Sequence, residues 1–374
     1  MELDGSLSWL TLALTPGQGS RLSARVLRKF GSPDGVFRAS LADLESCNLP
    51  AQAAQSIVKK ESFKRAEKEL DGVRKIANCR LLNWTEPEYP QTLLQIYDPP
   101  VLLYVRGDLQ VLNLPSLSIV GTRRPTLYGT QMAQRLGREL AARGLVIVSG
   151  LARGIDAIGH QGALDANGRA IGVLGTGIDV CYPKENKKLY EKVLERGAII
   201  TEFPLRTHPA PENFPVRNRI VAGMPLEVVI EGAQYSGSLI TARLAMEFGR
   251  EVFGVPGNVT QPVSFAPNQL IKQGAKLVTN ADDVIEELPT PVRAALVQAE
   301  QPEAEQRNLL AAASLNGSEK KLYELLSAYE PKPIDDIVEH SGLNSSEVLA
   351  TLFNLEMKGI IRQLPGKKFS KVLL

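Results

Sequence analysis

The sequence predicts a doubly wound α/β domain with a mostly parallel sheet, set between an N-terminal helical module and a C-terminal winged helix. Two observations predict the centre. From residue 116, six apolar runs ("LSIVG", "LVIVSG", "AIGVLG", "AIITE", "LEVVIEG" and "EVFGVPG") alternate with helical stretches such as "GTQMAQRLGRELAARG" and "SLITARLAMEFGR". Strands that are apolar almost throughout are buried on both faces, and strands alternating with helices form parallel sheets covered on both sides. A third observation predicts the end of the chain: three helical segments are followed by two short strands around a Pro-Gly turn.

In chain order, residues 1–80 read as an N-terminal helical domain. Its segments "WLTLAL", "RLSARVLRKF", "SLADLESC" and "AQAAQSIV" are separated by Gly and Pro. The turn "LTPGQG" (14–19) either binds a phosphate through exposed backbone N–H groups or simply joins two helices. Residues 81–115 read as a Pro-rich connector holding one strand, "VLLYVRG". The α/β domain runs over 116–288. Residues 289–317, rich in Pro, Ala, Gln and Glu, read as a flexible linker. Residues 318–374 give the winged helix, with Ser345 or Asn344 capping its third helix.

The totals narrow the function. The chain has 374 residues, a net charge of +2 and an ordinary share of apolar and charged residues. Cys47, Cys79 and Cys181 lack CxxC spacing, and His160, His208 and His340 are scattered. This argues against a disulfide framework and against a metal site, and suits a reducing cytoplasm. No secretory signal and no apolar run long enough for membrane insertion is seen, so the expected location is cytoplasmic.

Ligands of open α/β sheets bind outside the carboxyl ends of the strands. The segments at those ends are rich in Gly and Ser and carry Arg123, Arg124, Arg153, Arg206, Arg217 and Arg219. Residues 116–225 hold 15 Lys and Arg against 9 Asp and Glu, a net +6 in a chain of net +2. Positive charge therefore gathers where ligands bind, as expected for a phosphate-bearing partner. The turn Gly121-Thr122-Arg123 is not GxGxxG, and no GxxxxGK[ST] occurs, so neither a nicotinamide nor a P-loop nucleotide site is expected and no cofactor is implied. Asp156 and His160 stand i, i+4 and Glu231 ends a strand. Each has a structural reading beside a catalytic one, and no nucleophile with its base is evident, so no catalytic residue is assigned. The stretch "NFPVRNRI" (213–220) sets Phe214 beside Arg217 and Arg219. A base can stack on Phe214 while the arginines take phosphates, which fits a single-stranded polynucleotide. The competing readings are a core role for Phe214 and salt bridges within the loops for the arginines.

Taken together, "SIVGTRRPTLYG", "SGLARGIDAIGHQGAL", "GVLGTGIDVCYP", "FPVRNRIVAG", "SGSLITARLAMEFGREVFGVPGN" and "LIKQGA" resemble the DNA-processing protein A (DprA/Smf) family. The resemblance implies a Rossmann-like domain with a sterile-alpha-motif-like or helix-hairpin-helix module before it. It implies a non-enzymatic, sequence-independent single-stranded DNA-binding protein that protects incoming DNA and loads the RecA recombinase in natural transformation. It further implies a homodimer, for which the apolar-rich "NQLIKQGAKLV" is a candidate contact, burial within the fold being the other reading of that stretch. The DNA-binding residues expected are Gly121, Arg123, Arg124, Gly150, Arg153, Phe214, Arg217, Asn218, Arg219, Ser236, Gly237 and Ser238. An enzyme of the phosphoribohydrolase (lysine-decarboxylase-like) group is the alternative, although its "PGGxGTxxE" signature is missing. For the winged helix, Lys358, Arg362, Lys367, Lys368 and Lys371 suggest duplex DNA, whereas Asp335, Asp336 and Glu339 suit a protein partner.

Overall fold

The computed structural model describes residues 5–17, 19–224, 226–294, 296, 315–327, 332–358, 360–364 and 366–371. They form two compact units, divided after Val292.

The first unit begins with six helices: α1 (Gly5–Ala13), α2 (Ser20–Phe30), α3 (Pro33–Arg38), α4 (Leu41–Glu45), α5 (Ala51–Val58) and α6 (Phe63–Arg74). Ser32 and Ser40 cap α3 and α4 through their side chains. Gly17, at φ +72°, turns the chain between α1 and α2. Strands β1 (Cys79–Asn83) and β2 (Leu102–Gly107) follow, with the short α7 (Gln91–Leu94) between them.

The six expected strands are β3 (Ser116–Gly121), β4 (Val146–Ser149), β5 (Ala170–Val173), β6 (Ala198–Thr201), β7 (Leu226–Ile230) and β8 (Glu251–Gly254). The helices around them are α8 (Leu127–Ala142), α9 (Ile155–Asp165), α10 (Lys187–Arg196), α11 (Asn213–Ala222), α12 (Gly237–Glu247) and α13 (Phe265–Lys272). A two-residue strand, β9 (Lys276–Leu277), and α14 (Asp282–Ile285) close the unit. The sheet order is β1-β2-β6-β5-β4-β3-β7-β8-β9. Strands β3 to β9 pair in parallel, whereas β2 runs antiparallel to both β6 and β1. The mostly parallel, doubly wound sheet is thus as expected.

One expectation needs correction. The stretch 81–115 is not a connector outside the sheet, because β1 and β2 extend the sheet beyond β6. Leu102 to Val105 are all buried, with α10 and the N-terminal helices packed against β2. One continuous core joins Leu10, Leu12 and Ile57 of those helices to Leu102, Leu151 and Ile199 of the sheet side. A second core fills the opposite face with Val120, Val148, Val229 and Leu270. Most of the expected linker, 289–317, lies outside the described residues.

Polar contacts fasten the helices to the sheet. Glu69 of α6 accepts hydrogen bonds from the Tyr104 hydroxyl on β2 and from the Leu205 N–H. Arg219 of α11 is 7% exposed and bonds Glu202 at 2.5 Å and Asp98 at 3.3 Å. Its guanidinium also donates to the Ser20 hydroxyl at 2.7 Å, and that hydroxyl donates to Glu202. One buried cation therefore ties α11, the end of β6, the α7–β2 loop and α2 together. Burial outweighs the attraction of Arg219 at Asp98, whose carboxyl is held above its ordinary pKa.

The second unit holds α15 (Gly317–Leu325), β10 (Lys332–Pro333), α16 (Ile334–Ser341), α17 (Ser345–Met357), β11 (Ile361–Leu364) and β12 (Lys368–Lys371). Its sheet order is β10-β12-β11, the small sheet of a winged helix. Asn316 with Glu319, and Asn344 with Glu347, form capping boxes that start α15 and α17. Leu322, Ile337, Val348, Leu352 and Phe369 fill its core. No helix among the described residues is long and apolar enough to cross a membrane.

Replacing Arg219 with Met leaves the partly buried carboxylates of Asp98 and Glu202 without their cation. Breaking a buried ion pair from one side costs about 3–5 kcal/mol. Urea unfolding of Arg219→Met is expected to show a loss of that order. A midpoint equal to wild type would show that the arginine does not hold the module down.

Candidate functional site

The sheet winds one way from β3 through β4, β5 and β6, and the other way through β7 and β8. The reversal between β3 and β7 opens a crevice at their carboxyl ends. A cleft of about 710 Å³ occupies it. Gly121 to Arg124 enter it from the end of β3, Gly150 from the end of β4, and Phe214, Arg217 and Asn218 from α11. Ser236, Gly237 and Ser238 enter it at the start of α12. Arg153 lines a side slot of about 60 Å³ that shares Arg123, Phe214 and Arg217 with the main cleft.

Arg217 sits in the floor and is 5% exposed. Its guanidinium donates to the Val173 carbonyl and feels the buried carboxylate of Asp156. Asp156 in turn accepts the Gly150 N–H at 3.1 Å. Burial is the dominant effect on both partners, lowering the pKa of Arg217 and raising that of Asp156. An arginine stays protonated at neutral pH even so. Gly150 is required here because a Cβ at that position would lie 1.9 Å from Arg217 Nη1.

Arg123 and Arg124 are exposed at the mouth of the cleft. The Arg123 guanidinium lies over the Phe214 ring, 5.5 Å from its centroid. Tyr182 meets the same ring at 5.6 Å with a 35° tilt. Pro215 sits in the first turn of α11, where its missing N–H does no harm. Across the cleft, Ser236 caps α12 by accepting the Leu239 N–H, and its hydroxyl lies 2.9 Å from that of Ser238. The open N-terminus of α12 adds partial positive charge. Exposed and buried cations, an aromatic cluster and a helix N-terminus thus converge on one crevice suited to a phosphate-bearing chain.

Known proteins share this layout and its sequence. The family described as DNA recombination-mediator protein A matches residues 80–289. The chain belongs to the DNA recombination-mediator protein A family. The DprA winged helix domain matches residues 298–367. Among curated relatives of the family, protein Smf of Escherichia coli is 40% identical over 282 residues, covering 74% of each chain. DNA processing protein DprA of Bacillus subtilis is 46% identical over 204 residues, which are 54% of this chain and 69% of that protein. The solved DprA of Streptococcus pneumoniae superposes with a TM-score of 0.68 at 32% identity, covering 77% of this chain and 99% of that one. DNA processing protein A of Helicobacter pylori, described for its unique single-stranded DNA binding mode, gives a TM-score of 0.51 at 32% identity, covering 56% and 94%.

Within this DprA-family cleft the expected residues separate. Ten of the twelve line the main cleft and Arg153 lines the side slot, where it pairs with Glu185. Arg219 does not reach either. Two residues beyond Arg217 it points about 200° around the helix, away from the cleft and into the acidic pair that anchors α2. Its expected DNA contact is therefore corrected to a structural role. Phe214 lines the cleft but is half-buried between Arg123 and Tyr182. Asp156 belongs to the site as the counter-charge of Arg217. His160 is fully buried, with Nε2 3.2 Å from the Ile171 carbonyl. Glu231, at φ +50°, accepts from the N–H and hydroxyl of Thr126 and so ties the β3 and β7 loops together. Sequence reasoning missed Tyr182. Its only signal was its place in the block "GVLGTGIDVCYP".

Burial pushes the His160 pKa down to about 4 from an ordinary 6.5. The unfolded chain then binds the proton more tightly than the folded one, so stability falls as pH drops from about 6.5 to about 4. The loss attributable to this residue is about 3 kcal/mol. His160→Gln is expected to show less of this acid-side loss than wild type in urea titrations at several pH values. Parallel curves would remove His160 from the account. Gly150→Ala is expected to keep the fold and expel the Arg217 guanidinium from its seat, which a crystal structure of the variant reads directly.

Proposed function

We propose that the cleft binds single-stranded DNA without sequence preference and that the protein acts by binding rather than by catalysis. One observation carries this reading: Arg123, Arg124 and Arg217 share a single crevice with an aromatic cluster and the N-terminus of α12. Arginines neutralise successive phosphates, while aromatic faces accept any base. The family relationship, and the single-stranded DNA binding mode described for the Helicobacter pylori relative, support the same ligand. Among the described residues lining the cleft there is no histidine, cysteine or lysine, and Asp156 is engaged beneath Arg217. That favours binding over turnover, and over the phosphoribohydrolase alternative.

The wider role follows from the resemblance: protection of incoming DNA, loading of RecA and action as a cytoplasmic homodimer. The exposure of Leu277 on β9, the last strand of the sheet, supports the "NQLIKQGAKLV" stretch as a dimer contact. In the winged helix, α17 carries no Lys or Arg and exposes Leu349 and Phe353. Lys358 is paired with Glu319, and Lys371 lies over the Tyr323 ring. These features favour a protein partner over duplex DNA.

The test is a fluorescence titration with single-stranded and duplex oligonucleotides over a range of salt. Single strands are expected to bind better. Arg123→Ala and Arg217→Lys should each weaken binding to every sequence alike. Arg123→Ala should also reduce the slope of log affinity against log salt, by about 0.7 for every phosphate that the variant no longer neutralises, whereas Arg217→Lys keeps its charge and its slope. Wild-type affinity in both variants would refute the reading.

A further inference from the structure

Phe214, the aromatic expected to stack on a base, is poorly placed to do so. Arg123 covers its ring at 5.5 Å, Tyr182 leans on it at 5.6 Å, and a Cβ on Gly175 would come within 3.0 Å of its Cδ1. The ring is half-buried, with neighbours already on it. Tyr182 is different. It is 41% exposed and lines both the main cleft and the side slot.

The charges around the two aromatics differ as well. Near Tyr182, Arg153 is paired with Glu185, which cancels its charge towards a phosphate. Arg123 and Arg124 are exposed at the mouth, and Asp156, the one carboxylate among the described residues lining that cleft, is buried. Phosphates therefore have an exposed cationic seat at Arg123 and Arg124, above the buried Arg217. Tyr182 borders that seat and offers an exposed aromatic surface beside the Arg153–Glu185 pair. A single strand that lays its backbone on the arginines has its bases free to turn towards that surface.

We propose that Tyr182 is the platform on which a nucleobase of the bound strand stacks, and that Phe214 is its backing, held in place by Arg123. The assignment rests on the single-strand reading of the cleft and adds the residue that receives the base. Tyr182 makes its contribution through its ring, so the phenol oxygen is dispensable. Because the contact is to a base, its removal leaves the phosphate contacts intact.

The experiment compares full-length wild type, Tyr182→Leu, Tyr182→Phe and Tyr182→Trp against labelled oligothymidylate and against an abasic strand of equal length. Tyr182→Leu is expected to bind oligothymidylate about 10-fold more weakly, the scale of one missing stack. Its salt slope should stay unchanged, unlike that of Arg123→Ala. Tyr182→Phe and Tyr182→Trp should bind as wild type, and the emission of the introduced tryptophan should be quenched by the strand. Wild type should prefer oligothymidylate to the abasic strand, and Tyr182→Leu should narrow that preference. Wild-type binding by Tyr182→Leu, alongside weakened binding by Arg217→Lys, overturns the platform and leaves the single-strand reading standing. A Tyr182→Leu loss that is equal on the abasic strand also overturns it, because the tyrosine then does not act on a base. Failure of the wild-type protein to bind single strands overturns both.

Discussion

A parallel sheet wound in two directions has one place where its covering helices must part. In this protein that place lies between β3 and β7, and the arrangement of the functional residues depends on it. Right-handed crossovers send the chain over one face on one side of β3 and over the other face beyond β7. The carboxyl ends of β3, β4 and β7 and the start of α11 are left facing a common gap. Segments separated by up to about a hundred residues are thereby brought to the same few ångströms of surface.

Filling that gap with positive charge raises a problem of burial. Arg217 lies in the floor, where an isolated cation would be strongly disfavoured. Three features offset this: the Asp156 carboxylate, the Val173 carbonyl and the missing side chain at Gly150. The same helix carries a second buried arginine with a different purpose. Arg219 is turned to the far side of α11 and directs its charge at Asp98 and Glu202, so that the N-terminal helices are joined to the sheet. One helix thus presents a cation to the cleft and uses another as a structural tie.

Legibility varied with the range of the interactions involved. The six strands from β3 to β8 were legible because burial on both faces demands a continuous apolar run. Strand β2 was legible as a strand, but its pairing with β6 was not, since the register Tyr104 with Thr201 joins residues far apart in the chain. The Pro-rich composition around it pointed to a connector instead. Strand β9, two residues long, carries no periodicity at all. Most of the site was legible as loops at strand ends. The exception is instructive: Arg217 and Arg219 are the same residue type two positions apart, and no local pattern separates the cleft-lining one from the structural one.

By itself the amino-acid sequence determined the six central strands, the winding of the central sheet, the clustering of arginine at its carboxyl edge and the family to which the chain belongs. These follow from periodicity, from burial and from motifs read along the chain. Only the tertiary structure decided which cations face the cleft, which aromatic is half-buried and which is exposed, and that β1 and β2 extend the sheet. The physical reason is that each of these depends on what a side chain meets across space. Asp98, Glu202 and Ser20 surround Arg219 only after residues almost two hundred positions apart have been packed together.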